Sequence, residues 1–123
     1  MAALTRSMFF VVILALCFAS VAFGDAGTAS FYTNYKPSAC YGSQEEGNII
    51  AAANPTLYNN KAACGRRYRV TCTGASCRPG NVVVKIVDLC PECAPGRLDL
   101  SKEAFSAIAD PVAGIINIDY VQV

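Results

Sequence analysis

Beyond an apolar leader, this chain of 123 residues carries six cysteines, and from end to end it has no histidine. Cysteines delivered to an oxidising compartment pair with one another instead of holding metal or cycling as thiols. A chain without histidine lacks the side chain that titrates nearest neutral pH and the commonest zinc ligand. Together these facts predict a small domain stapled by three disulfides, with no metal and no cofactor. Six cysteines allow fifteen pairings, and spacing does not choose among them. Cys72 and Cys77 are close with Gly74 between them, and Cys90 and Cys93 enclose only Pro91 and Glu92.

The leader itself reads as a secretory signal. Arg6 supplies the positive start, residues 8–18 are an unbroken apolar run, and Ala22 and Gly24 are small residues at cleavage spacing. The run is shorter than the roughly 20 residues of a membrane span, and no charged stop follows it. Residues 1–24 are therefore expected to be removed, taking the seventh cysteine, Cys17, with them. Residues 25–123 make one small domain, secreted, not inserted in a membrane, and expected to be a monomer.

Charge narrows the partners. Nine basic and nine acidic residues balance in 25–123, because the tenth basic residue is Arg6. A neutral total predicts no nucleic-acid partner and no membrane surface. The local exception is Lys61, Arg66, Arg67 and Arg69, in a stretch without an acid. Asn54, the one candidate glycosylation asparagine, is followed by Pro55 and is excluded.

Alternation of apolar and polar residues dominates over helical periodicity. Residues 28–33 read as a strand with Ala29 and Phe31 on one face and Ser30 and Tyr32 on the other. Tyr68, Val70 and Cys72 alternate with Arg67, Arg69 and Thr71, giving a half-buried strand with a basic outer face. Residues 82–87 are nearly all apolar and rich in valine, as in a strand buried on both faces. Residues 115–123 form a last strand with Asn117 and Asp119 on its polar side. Short strands punctuated by Gly, Pro and Asn predict a small β-barrel. One helix is expected after Ser101 as N-cap, with Ala104, Phe105, Ile108 and Ala109 on one face and Pro111 as its limit. A second short helix or turn is expected near residues 51–58.

Five segments, GTASFYTNYKPSACYG, LYNNKAACGRRYRVTC, VVVKIVDLCPEC, RLDLSKEAFSAIA and GIINIDYVQV, occur in that order. In this combination the chain resembles the plant natriuretic peptide and citrus blight-associated group of expansin-like proteins, whose domain is similar to family-45 endoglucanases. The resemblance covers essentially all of residues 25–123. It implies a mainly β fold, a six-stranded double-psi β-barrel like barwin and the first expansin domain. It also implies secretion to the plant apoplast or cell wall, and the pairs Cys40–Cys64 and Cys72–Cys77. The expansin pattern joins the cysteine matching Cys90 to one that stands where this chain has Arg67, which leaves Cys93 as the partner of Cys90.

The same resemblance nominates site residues. Asp99 matches the aspartate of the expansin HFD motif, with Arg97 and Leu98 before it in place of His and Phe. Asp88 is a candidate second carboxylate. The plainer roles are a capping acid ahead of the helix for Asp99, and an acceptor of loop amides or partner of an arginine for Asp88. Related hydrolases draw their second catalytic aspartate from the first strand, and residues 31–36 hold no carboxylate. Two-carboxylate glycoside hydrolysis is therefore incomplete, and the chain is expected not to be an enzyme. A lytic transglycosylase, which needs one carboxylate in some families, is the version of cleavage that survives. Tyr32, Tyr35, Tyr41 and Tyr58 are candidates to stack on sugar rings of a cell-wall polysaccharide. Arg66, Arg67, Tyr68 and Arg69 are candidates to meet an acidic plasma-membrane receptor, because guanidinium groups grip carboxylates bidentately. The function expected from the resemblance is an extracellular signal in water and solute balance and in stress or defence. The alternative is a wall-binding expansin-like module.

Overall fold

The computed structural model describes residues 24–123. The expected signal, apart from Gly24, lies outside the described residues. Among those described, no helix is long and apolar enough to cross a membrane.

Six strands close into a barrel. They are β1 (Asp25–Tyr32), β2 (Ile50–Ala53), β3 (Arg67–Thr73), β4 (Asn81–Leu89), β5 (Arg97–Ser101) and β6 (Ile116–Gln122). The order around the ring is β1-β5-β2-β4-β3-β6. The β1–β5 and β2–β4 pairs are parallel and the other four antiparallel. Closure leaves no free sheet edge, and the ring is the six-stranded barrel that the resemblance implies.

Alternation decides which residues fill it. Ala29, Val70, Val84, Ile86, Leu98, Leu100, Ile116 and Ile118 point inward and are buried. Their neighbours Ser30, Arg69, Lys85, Asp99, Asn117 and Asp119 are half-buried or exposed. The barrel is narrow where β1 meets β5. A Cβ on Gly27 would stand 2.1 Å from the Gly96 carbonyl oxygen, so only glycine fits there.

Two helices attach to this ring. Helix α1 (Pro55–Tyr58) starts at Asn54, whose side chain accepts from the Leu57 N–H at 2.9 Å and donates to the Arg97 carbonyl at 3.0 Å. The helix or turn expected over 51–58 is thus corrected. Ala51, Ala52 and Ala53 belong to β2, where burial between β4 and β5 overrides the helical preference of alanine. Helix α2 (Lys102–Ile108) is capped by Ser101, whose Oγ accepts from the Ala104 N–H at 3.2 Å. Its Phe105 and Ile108 close the barrel core, and the Phe105 ring lies 5.0 Å from that of Phe31.

The disulfides are Cys40–Cys64, Cys72–Cys77 and Cys90–Cys93. The first ties the 33–49 loop to the start of β3. The second closes the turn after β3. The third lies outside the barrel wall, packed with Ala52 and Tyr32 in a small cluster of its own.

Candidate functional site

The site is built on the outer face of β1, β5 and β2. Leu98 and Leu100 point inward, so Asp99 between them points out. Asp99 is in register with Ser30 of β1 on one side and Ala52 of β2 on the other. Ser30 Oγ donates to Asp99 Oδ1 at 2.9 Å. Asp88 of β4 is in register with the same Ala52, from its other side. The two aspartates therefore flank one alanine on adjacent strands, with backbones about 10 Å apart at two strand spacings.

Ala52 is the floor. It is small, nearly sealed from solvent, and covered by Tyr32 and the Cys90–Cys93 bridge. Tyr32 and Tyr35 form one wall, with rings 5.2 Å apart and edge to face. The Tyr35 hydroxyl donates to Glu103 and accepts from the Lys102 N–H at 3.1 Å, which straps the loop after β1 to the first turn of α2. Burial and the Glu103 contact push the Tyr35 phenol up to about 12, so it stays a hydrogen-bond donor throughout the ordinary pH range. The Tyr32 hydroxyl is buried and has no hydrogen-bond partner among the described residues.

The two carboxylates differ in freedom. Asp88 Oδ1 accepts from the Ala39 N–H at 2.8 Å and the Leu89 N–H at 2.9 Å, anchoring the 33–49 loop to the end of β4. This is the loop-amide role. Among the described residues Asp99 keeps only the Ser30 bond; it lies within β5 and does not cap α2, which Ser101 does. Burial raises the Asp99 pKa above the ordinary carboxylate value; the Ser30 bond opposes this, and Glu92 and Asp88 add to it. Asp99 thus retains a proton more readily than a surface aspartate and is the less committed of the two aspartates.

Of the candidate residues, Tyr32, Tyr35, Asp88 and Asp99 come together here. Tyr41 does not join them: its ring lies 4.7 Å beneath the Lys85 ammonium, and its hydroxyl lies close over Gly65. Tyr58, 7% exposed, packs in the core and is corrected as a groove residue. Tyr68, 5% exposed, points into the barrel against Tyr120 and is corrected as a receptor contact. Arg67 and Arg69 are exposed on β3, and Arg66 is half-buried just before it. Sequence reasoning missed Ser30, Ala52, Glu92 and Glu103 as parts of this face. Outward alternation from Ala29 was the available signal for Ser30.

The closed six-stranded double-psi barrel places the chain among expansin-like domains. The family model described as "Lytic transglycolase" matches residues 50–120. The chain belongs to the EG45-like domain family: it is 48% identical to the EG45-like domain containing protein of Citrus jambhiri, over 91% of this chain and 92% of that one. The crystal structure of the Clavibacter michiganensis expansin superimposes with a TM-score of 0.70 at 35% identity, over 80% of this chain. This chain spans about half, 49%, of that expansin. An Asp→Asn variant of the same expansin, solved in complex with cellohexaose, superimposes with a TM-score of 0.66 at 34% identity.

Proposed function

We propose that this protein is a secreted cell-wall module that seats a neutral glucan chain across the Asp99 face without hydrolysing it. One observation carries the reading: Asp99, held among the described residues by Ser30, stands beside the Tyr32–Tyr35 pair, while Asp88 is committed to two loop amides. Aromatic faces and edges suit sugar rings, whose C–H surfaces are apolar. The Tyr32 hydroxyl is sealed from solvent, so what Tyr32 offers a sugar is its ring. Burial raises the proton affinity of Asp99, which suits it to meet glycan oxygens and hydroxyls. Hydrolysis by inversion or retention needs a second carboxylate fixed across the scissile bond; Asp88 is committed to loop amides, and Glu92 lies on the exposed turn after β4. The cellohexaose complex of the related expansin supports the ligand class.

The test is cellohexaose titration by calorimetry, with an assay for new reducing ends and for anhydro-sugar products. Saturable binding is expected, weakened about ten-fold by Tyr32→Ala through loss of ring contact, with no new chain ends. Absence of binding overturns the reading. New ends or anhydro-sugars that vanish in Asp99→Asn convert it to a one-carboxyl lytic enzyme.

A second reading is an extracellular signal in water and solute balance and in stress or defence. It is favoured by the form of residues 36–70. The Cys40–Cys64 bridge closes a ring seated on β4 by the Cys40 N–H to Val87 carbonyl bond at 3.0 Å, and the Gly65 N–H to Ile86 carbonyl bond at 2.9 Å. That ring leads directly into the exposed arginines of β3. Swelling of wall-free protoplasts by the oxidised protein, abolished on reduction, is the outcome this reading requires; no swelling removes it.

A further inference from the structure

We propose that the outer face of β3 binds an acidic polysaccharide, a polyuronate with one carboxylate per sugar, through Arg67 and Arg69. The two arginines are exposed, two residues apart on one strand, and so stand about 7 Å apart in line. The ion pairs among the described residues are Lys36–Glu45 and Lys85–Glu46, and neither involves these arginines. Lys85, in register with Arg67, is already neutralised by Glu46. The acid that β6 brings to this face, Asp119, is in register with Thr71 and not with either arginine. Exposed Lys61 precedes the strand in the same acid-free stretch.

Shape and chemistry favour a linear polyanion over a protein. Protein interfaces centre on a desolvated aromatic or aliphatic anchor. The aromatic rings of β3 and β6, Tyr68 and Tyr120, point inward, and the Tyr41 ring lies beneath the Lys85 ammonium. The residues in register with Arg69 are Val83 and Val121, both half-buried. What remains outside is a row of planar guanidinium forks, each matched to a carboxylate. Strands β3 and β6 present a neutral glucan with no outward ring to stack on.

The opposite side of the barrel has the opposite charge. In the ring order β3 stands across from β5. Strand β5 carries Asp99, with Glu92 near enough to raise the Asp99 proton affinity; Asp88, on β4 beside β3, is tied up by the Ala39 and Leu89 N–H groups. A polyuronate is repelled there and attracted to β3, so the two faces sort acidic from neutral polymers. The inference rests on the wall reading for the source of the polymer, and its charge chemistry is separate from the groove.

The test is affinity electrophoresis of the oxidised protein in gels containing polygalacturonate, its fully methyl-esterified form, or soluble β-glucan. Polygalacturonate is expected to retard the wild type at low salt, with retardation lost at high salt by screening. Arg67→Gln with Arg69→Gln should weaken this about ten-fold, Lys at both positions should restore most of it, and the methyl ester should not bind. Full retardation of the glutamine variant, or equal binding of the ester, overturns the proposal. So does absent polyuronate binding combined with a protoplast response that the same variant loses, which gives the face to a protein receptor. Retardation in β-glucan is read separately: its failure counts against the groove and leaves the β3 result standing.

Discussion

Asp99 is a carboxyl held partly out of water with one hydroxyl donor, and its raised pKa has a cost in stability. A carboxyl whose folded pKa exceeds its unfolded value binds protons more tightly in the native state. Its contribution is therefore most favourable below the unfolded pKa, and it is lost as pH rises through the folded pKa. Asn at this position still accepts the Ser30 bond through its carbonyl and carries no charge to desolvate. Asp99→Asn is accordingly expected to raise the melting temperature by a few degrees at about pH 7, with the gain gone near pH 3, where the wild-type carboxyl is protonated in both states. Melting curves across that range check it. An Asn variant less stable at neutral pH would mean that the charged form is favoured, through Arg97 or Ser30, more than burial disfavours it.

At the scale of elements, the three disulfides do unequal work. Cys40–Cys64 spans 24 residues of sequence and Cys90–Cys93 only 3. Loop-closure entropy then assigns the first about 3 kcal/mol and the second about 2 kcal/mol. Function is expected to reverse that order. Replacing Cys90 and Cys93 by serine uncovers Ala52 and frees Tyr32, so glucan binding should fall more than denaturant stability does. Removing Cys40–Cys64 should cost mainly stability, and denaturation and titration of both variants separate the two effects. The strands were legible in the sequence because their alternation is the physical signal of a half-buried face, as in Arg67 to Cys72. Strands β2 and β5 were not: Ile50–Ala53 is buried on both sides, shows no alternation and is made largely of good helix formers, and Arg97–Ser101 is five residues that run straight into the cap of α2. The site was legible in part. A motif nominated Asp99, but the register that puts Asp88 and Asp99 on either side of Ala52 comes from non-local pairing that no local pattern encodes. The inward turn of Tyr68 was encoded by its alternation with the arginines. Tyr58 was misplaced because one turn of helix is too short to show a face.

For the whole molecule, the decisive property is that a closed six-stranded ring has two sides with little to connect them except a rigid core. Asp99 on β5 and the arginines on β3 stand across that ring, with Val70, Leu98, Leu100 and other side chains packed between. Charges further apart than about 8 Å are largely screened at physiological ionic strength when both face solvent. The core between them is one packed cluster of buried side chains. The two faces should therefore act independently. Combining Asp99→Asn with Arg67→Gln and Arg69→Gln is expected to change stability by the sum of the separate effects, within about 0.5 kcal/mol. Glucan binding should respond to the first change alone, and polyuronate binding to the arginine changes alone. A full cycle of variants, titrated with each polymer in the presence of the other, measures this directly. Additive results make the domain a passive bridge that holds a neutral and an acidic chain at once, a barrel's width apart. A coupling well above that margin would show that filling one face alters the other, and would require the barrel to change shape on binding.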